Sequence, residues 1–390
     1  MINTPYSPEK ESICKSKMKL FYIFLSIIIV ASCSHNEFKY VDLVGNWKLD
    51  TVIDSSGVEK DFYFISKPGL EFISTSQFRY LPGPVDLSRE EQPKLKELID
   101  TIINFNIMNN QIVYQSLKNN ESITKEILRL TLDSLYILDN KKNLHKYFRI
   151  YADSTNQNSI NKIVLSSTGC YGVCPIIDIE INESKEASFY CTAYCGDEGF
   201  HKGEMPKSKI DRLFQFLNFI NIDTLDNSYS ANHTDDETIT VSFYNDNKHL
   251  KTVSDYGRKA PSEFIWLYTY LRYMPGLKDL KLNYETTNSL NKSSCYVFSN
   301  GEEGYSFEKS ESYMIYTQLL NAKVINEKTV LPYEIYDLSF PVQKLEGFIE
   351  YNGKPKVIGH TNGRFFKFKS INNQIIDLGY NCLTMKEQIK

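Results

Sequence analysis

Along its first third the chain alternates apolar and polar positions in short runs. These are Leu70 to Ser74, Phe78 to Leu81, Ile112 to Leu117, Thr124 to Leu132, Leu135 to Asp139 and His145 to Tyr151. A period of two predicts half-buried strands. Turn-forming stretches such as Lys118-Asn119-Asn120-Glu121 separate them. Short strands at regular spacing predict an antiparallel barrel or sandwich. One interruption has helical character. Ser88 and Glu91 form a capping-box pattern, and Leu95, Leu98, Ile99, Ile102 and Ile103 follow at helical spacing, predicting a helix over 88–104.

A polar stretch, Ser154 to Ser159, reads as a linker to a second block. There the strands Ile163 to Leu165, Ile176 to Ile181 and Ala187 to Thr192 precede an apolar stripe Ile210, Leu213, Phe214 and Leu217. Strands Thr238 to Tyr244 and Leu250 to Val253 flank the turn Asn245-Asp246-Asn247. Pro261 then opens a helix with Phe264, Leu267, Tyr268 and Leu271 on one face. Three strands, helix, two strands, helix is an α+β order. Tyr284 to Ser294 forms a second linker. The third block has a predicted helix over Ser310 to Ala322, then strands Gly347 to Tyr351, Val357 to Ile358 and Arg364 to Lys369 around the turn pairs Asn352-Gly353 and Asn362-Gly363. The expected divisions are 40–153, 160–283 and 295–390, an α+β multidomain chain.

The N-terminus reads as an address. Leu20 to Ser32 is an uncharged, mostly apolar run of 13 residues, preceded by Lys15, Lys17 and Lys19. A spanning helix needs about 20 residues, whereas this pattern is that of a signal peptide. A start at Met18 gives a compact signal of 15 residues ending at Ser32. The run ends in Val30-Ala31-Ser32-Cys33, which resembles the lipobox of bacterial lipoproteins. The resemblance implies that 1–32 is removed, that Cys33 is lipidated and that 33–39 is a tether. The protein would then be anchored by lipid in the cell envelope, at the outer membrane.

Charge supports that placement only broadly. The 390 residues carry 44 Lys and Arg against 48 Asp and Glu, a net −4. Removing 1–32 takes away a net +2, leaving about −6. This balance excludes a dedicated nucleic-acid binder. Cysteine use agrees with export. Without Cys14 and Cys33, six remain: Cys170, Cys174, Cys191, Cys195, Cys295 and Cys382. An even number outside the cytoplasm points to disulfides.

Two resemblances refine the blocks. Gly45-x-Trp47 with the closing aromatic strand Tyr147 to Tyr151 resembles the small lipocalin-like domains of bacterial lipoproteins over 40–152. It implies a barrel plugged at one end by Trp47, either filled by side chains or holding one small apolar ligand. Ile163-Val164-Leu165 through Cys170-Tyr171-Gly172-Val173-Cys174-Pro175, the helix at 207–220, Thr234-Asp235-Asp236, and Asp255-Tyr256 with Pro261 resemble domain of unknown function 6438 over about 160–280. That family implies no particular activity.

The sharpest chemical motif is Cys170-x-x-x-Cys174-Pro175. It reads as a structural disulfide with Gly172 in a φ other residues avoid, as a redox pair, or as a soft-metal site. A redox pair needs a following helix whose N-terminus lowers a thiol pKa, and Ile176 to Ile181 alternates like a strand. Cys191 and Cys195 repeat the spacing, and with His201 four thiols also satisfy zinc by ligand type. The disulfide pairings Cys170–Cys174 and Cys191–Cys195 are expected. Cys295 and Cys382 are a third candidate pair, closing 88 residues for about 4.6 kcal/mol, or else two buried thiols. No metal-spaced histidines, no nucleophile elbow and no phosphate loop are present. Tyr171, inside the cysteine loop, and Asp235 and Asp236 are the candidate binding residues. The expectation is a binding or interaction protein without cofactor, whose partner is an envelope protein or small ligand. The alternative is a thiol-dependent metal or redox protein.

Overall fold

A computed structural model describes residues 38–60, 68–81, 99–117, 119–153, 159–196, 198–274, 277, 280–282, 295–299, 304–325, 336–340, 356–369 and 375–387. The signal segment, Cys33, most of 88–104, both linkers apart from Ser159 and the Gly347 to Gly353 hairpin lie outside the described residues. Among the described residues no helix is long and apolar enough to cross a membrane.

The first block is a closed antiparallel barrel of eight strands in chain order. They are β1 (Gly45–Ile53), β2 (Gly69–Phe72), β3 (Gln77–Leu81), β4 (Ile103–Met108), β5 (Gln111–Gln115), β6 (Ser122–Leu130), β7 (Ser134–Leu138) and β8 (Leu144–Ile150). Closure comes from β8 pairing with β1, Trp47 opposite Arg149 and Leu49 opposite Tyr147. The predicted helix does not reach Ile103. Asp100 takes a left-handed φ of 65°, which breaks a helix, and Ile103 opens β4. From there the pattern changes period: Ile103 and Phe105 are buried while Asn104 and Asn106 are exposed.

The second block is an eight-stranded sheet, order β13-β15-β14-β9-β10-β11-β12-β16. In chain order these are β9 (Lys162–Ser167), β10 (Ile176–Asn182), β11 (Glu186–Ala193), β12 (Gly199–Glu204), β13 (Ser228–Ser230), β14 (Thr238–Asn245), β15 (Lys248–Tyr256) and β16 (Lys281–Leu282). Helices α1 (Lys207–Gln215) and α2 (Ser262–Tyr273) cover one face. Strand alternation sorts the residues. Ile163, Leu165, Ile177, Ile179, Ile239, Val241 and Phe243 pack with Leu213, Phe264, Leu267 and Leu271 in one core. The barrel docks on the outer side of these helices. Trp266 of α2 lies so close to Gly69 that a Cβ there would sit 2.7 Å from its ring. Glu71 pairs with Arg212 at 2.5 Å, and Lys48 with Glu263 at 2.8 Å.

The opposite face of that sheet is polar: Lys162, Ser166, Asp178, Glu180, Ser188, Thr240, Ser242 and Thr252. In sequence such a face reads as solvated. The structure covers it with α3 (Lys309–Asn321), which is buried along nearly its whole length. Lys309 Nζ meets Asp178 at 3.1 Å and donates to the Ser167 carbonyl at 2.6 Å. Ser310 bonds Ser242 at 2.7 Å, Tyr313 bonds Ser188 at 3.1 Å, and Thr317 bonds Glu180. Residues 309, 310, 313 and 317 share one side of α3 by helical spacing. Ile315, Tyr316 and Leu319 join Phe298, Phe366, Phe368 and Ile376 in a second core.

Those aromatics belong to a seven-stranded sheet, order β18-β17-β20-β21-β22-β23-β19. Its strands are β17 (Val297–Ser299), β18 (Gly304–Ser306), β19 (Lys323–Ile325), β20 (Tyr336–Phe340), β21 (Lys356–Thr361), β22 (Phe365–Phe368) and β23 (Ile375–Asp377). A short helix, α4 (Thr384–Glu387), follows. The Asn362-Gly363 turn is present, its Asn362 Oδ1 accepting from the Phe365 and Arg364 amides at 2.8 and 3.0 Å. The described chain is therefore layered: barrel, helix pair, central sheet, α3, third sheet.

Candidate functional site

Both expected short-range disulfides are formed, Cys170–Cys174 and Cys191–Cys195, with Cα separations of 5.6 and 5.9 Å. They lie at the same end of the central sheet. Cys170 to Cys174 joins β9 to β10. Cys195 follows β11, opposite the start of β10, where Ile176 pairs with Ala193. The Cys195 sulfur sits 3.7 Å from the Ile176 carbonyl. A five-residue covalent loop is worth about 2 kcal/mol of chain entropy. Its larger effect here is local, because it fixes a loop whose tip is bare. Tyr171 is 88% exposed and Val173 77%. Gly172 between them has φ +153°, as the loop expectation required. Tyr194, 61% exposed and at φ 60°, projects from the second disulfide loop.

The acidic stretch arrives at this end from another part of the sheet. The Tyr171 amide donates to the Asp235 carbonyl at 3.0 Å, so the cysteine loop and the 233–237 loop form one unit. Tyr171, Asp235 and Asp236, singled out separately in sequence, are thus brought together. Asp235 has φ 73°. Asp236 accepts from its neighbour Glu237's amide at 2.8 Å, lies 3.3 Å from His233 Nε2, and its own amide donates to the Tyr256 hydroxyl.

Beneath the loops is a charged floor that sequence reasoning passed over. Glu237, 3% exposed, bonds Arg272 at 2.5 Å and Arg258 at 3.3 Å. Arg272 reaches from the last turn of α2 and also donates to the Pro175 carbonyl at 3.1 Å. One guanidinium therefore ties the acidic loop to the cysteine loop. The signal was a lone arginine at the end of the apolar helix 264–271. Beside it Asp255 accepts from the Lys259 and Ala260 amides at 2.8 and 3.2 Å and from the Tyr268 hydroxyl at 3.0 Å. Burial pushes its carboxyl above the usual range despite these donors. Gly257, at φ +70°, closes the unit, since a Cβ there would lie 2.5 Å from Ala231 Cβ and 3.0 Å from the His233 ring.

Chemically this end is a rigid, aromatic, partly acidic surface with its cysteines oxidised. β10 begins at Ile176, so a strand rather than a helix follows Cys174. Among the described residues no group of three His, Cys, Asp or Glu side chains is placed to hold a metal. His201, the other conceivable ligand, is buried in β12 and faces the Leu280 carbonyl at 3.3 Å. The third candidate pair is not joined. Cys295, half-buried, and Cys382, buried in the third block's core, are not disulfide-bonded, and burial raises both thiols in pKa. The Cys382 backbone amide donates to the Gly363 carbonyl at 2.9 Å.

No curated protein matches the chain. Residues 161–275 match the model of the Domain of unknown function (DUF6438), so the whole of this end, from β9 through both disulfides to α2, falls within a DUF6438 domain.

Proposed function

We propose that the protein is a non-enzymatic interaction protein of the bacterial cell envelope, held to the membrane by lipid on Cys33. Its contact surface is the disulfide-pinned end of the central sheet, and its partner there is another envelope protein. The observation that carries this reading is Tyr171. A tyrosine 88% exposed at the tip of a covalently closed loop offers a large amphipathic surface at little entropic cost on binding, as rigid aromatic anchors do. Val173 and Tyr194 extend the same end, and Asp235 and Asp236 give it charge. The cysteine spacing, the disulfides and the lipobox-like run agree on an oxidising compartment. The eight-stranded barrel with Trp47 at one end is in keeping with a lipocalin-like module.

The test is site-specific photo-crosslinking in cells. A benzophenone residue at 171 should give a discrete crosslinked species in the envelope fraction. The same probe at Leu128, an exposed barrel position, should not. Equal crosslinking at both positions, or none at 171, would remove the surface from consideration. Cys33→Ala should release the protein from the membrane fraction.

A further inference from the structure

We infer that the cleft between the barrel and α1 is a second binding site, independent of the surface proposed above, and that it takes an acidic sugar, a hydroxyl-rich molecule with one carboxylate. The cleft holds about 810 Å³. Small-molecule sites usually hold about 300–1,000 Å³ and favour junctions between domains. One wall is Arg79 of β3 with Asp100 and Ile102 ahead of β4, and the other is α1. The helix wall is a single stripe. Ser208, Asp211, Arg212 and Gln215 stand at i, i+3, i+4 and i+7, one side of a helix, and all four line the cleft, with Asn218 just beyond. Ile210 and Leu213, on the other side, are fully buried in the core.

At the base the charges form a chain with a cation at each end. Lys209 bonds Asp100, Asp100 accepts from Arg79 Nη1 at 2.9 Å, Arg79 Nε donates to Glu71 at 2.7 Å, and Glu71 pairs with Arg212 at 2.5 Å. Three cations face two carboxylates, a surplus of one positive charge. Asp211 does not cancel it, because Asp211 is bonded to Lys207. Both end cations are short of partners. Among the described residues the Lys209 ammonium meets Asp100 alone, and Arg212 Nε has no hydrogen-bond partner. Arg212 is 8% exposed, and its Nη1 donates at 2.8 Å to Gln215, an exposed side chain that an incoming carboxylate can displace. Burial depresses the Arg212 pKa, and the Arg79 charge adds to this, in spite of Glu71.

The class of ligand follows from both walls. One surplus charge matches a monoanion. Serine, aspartate, glutamine and asparagine along the stripe offer donors and acceptors turn by turn, which suits hydroxyls repeated around a sugar ring and not an acyl chain. Half-buried Phe214 and Ile102, 48% exposed, leave an apolar strip for the C–H face of that ring.

The experiment is isothermal titration of the full chain, folded and oxidised, at low salt, with glucuronate, with glucose and with acetate. One glucuronate should bind per chain, at least tenfold tighter than either of the others. Two substitutions should move its affinity in opposite directions. Lys209→Gln removes the surplus charge and should weaken glucuronate about tenfold, leaving glucose unchanged. Asp100→Asn adds to the surplus and should tighten glucuronate at least threefold, and asparagine accepts the left-handed φ of 65° at that position. Lys323→Gln, the same loss of charge on an exposed residue of the third block, should change nothing. Circular dichroism and melting identify variants that fail to fold. If Asp100→Asn is among them, Lys209→Gln decides, and if neither folds, the wild-type ratios decide. Absence of saturable glucuronate binding, or equal affinity for glucuronate and glucose, overturns the inference. Equal affinity for glucuronate and acetate overturns it too, leaving an anion site without a sugar. So does a folded Lys209→Gln that binds like wild type, or a folded Asp100→Asn that binds more weakly, which would make these charges only a strut between barrel and helix.

Discussion

Replacing Lys309 with Met tests how the third block is held to the central sheet. The ammonium of Lys309 and the carboxylate of Asp178 are 3.1 Å apart, with side chains 8% and 1% exposed. Met fills the stem but leaves Asp178 in the sheet–helix seam without its cation. Breaking one half of a buried pair costs about 3–5 kcal/mol. A second route gives the same figure. Asp178 escapes by binding a proton, and from an unfolded pKa of about 3.9 this costs about 4.2 kcal/mol at pH 7 and about 1.5 at pH 5. The sign follows from linkage. In the variant the folded state holds a proton the unfolded state has released, so lowering the pH favours the fold until both states are protonated. The lost bond to the Ser167 carbonyl is the same at either pH and cancels in the difference. Urea unfolding of wild type and Lys309→Met at pH 7.0 and 5.0 should show a deficit that shrinks by about 2.7 kcal/mol on acidification. Asp178→Asn in the Lys309→Met background should recover much of the loss at pH 7. A deficit below about 1 kcal/mol at pH 7, or one equal at both pH values, would refute a buried ionic seam.

Three further outcomes follow from the geometry. Gly257→Ala forces a Cβ against Ala231 and the His233 ring at a left-handed φ and should lose about 2–4 kcal/mol in urea unfolding; a loss below about 0.5 kcal/mol contradicts the packed loop unit. Arg149→Met removes the cation over Trp47 and leaves three carbonyls to find other donors. It should cost about 2–3 kcal/mol and shift tryptophan emission, and unchanged emission would contradict the plugged end. Cys295, its thiol pushed up to about 11, and Cys382, raised further by complete burial, should resist alkylation at pH 7.5 until the chain is denatured; rapid native labelling of either would contradict their burial.

How much of this was legible in the sequence varied with the physics. Period-two alternation marked six of the barrel strands, most of which have one wet and one dry face; β2 is buried on both. It lost β4 because Ile99, Ile102 and Ile103 also fit a helical stripe, and the left-handed turn at Asp100 that separates them carries no apolar signal. Five of the eight strands of the central sheet were readable; β12, β13 and β16 were not, and hydropathy said nothing of what covers its polar face. Asp178, Thr240 and Ser242 on the sheet meet Lys309 and Ser310 of α3 only in the folded chain. Two polar faces that satisfy each other leave no trace in hydropathy. The equal spacing of Cys170–Cys174 and Cys191–Cys195 pointed to both disulfides. Tyr171 and Asp235 were each visible, but the backbone bond that joins them was not, since it depends on β9 and β14 lying side by side.

The most direct measurement is the intact mass of the protein extracted from cell envelopes, alkylated before and after reduction. The proposed function requires a chain that begins at Cys33 and carries added acyl mass. Cys170, Cys174, Cys191 and Cys195 should take alkylating reagent only after reduction, and Cys295 and Cys382 once the chain is denatured. A chain that retains residues 1–32, or native free thiols at Cys170 and Cys174, would contradict it and turn the exposed loop into a candidate thiol centre.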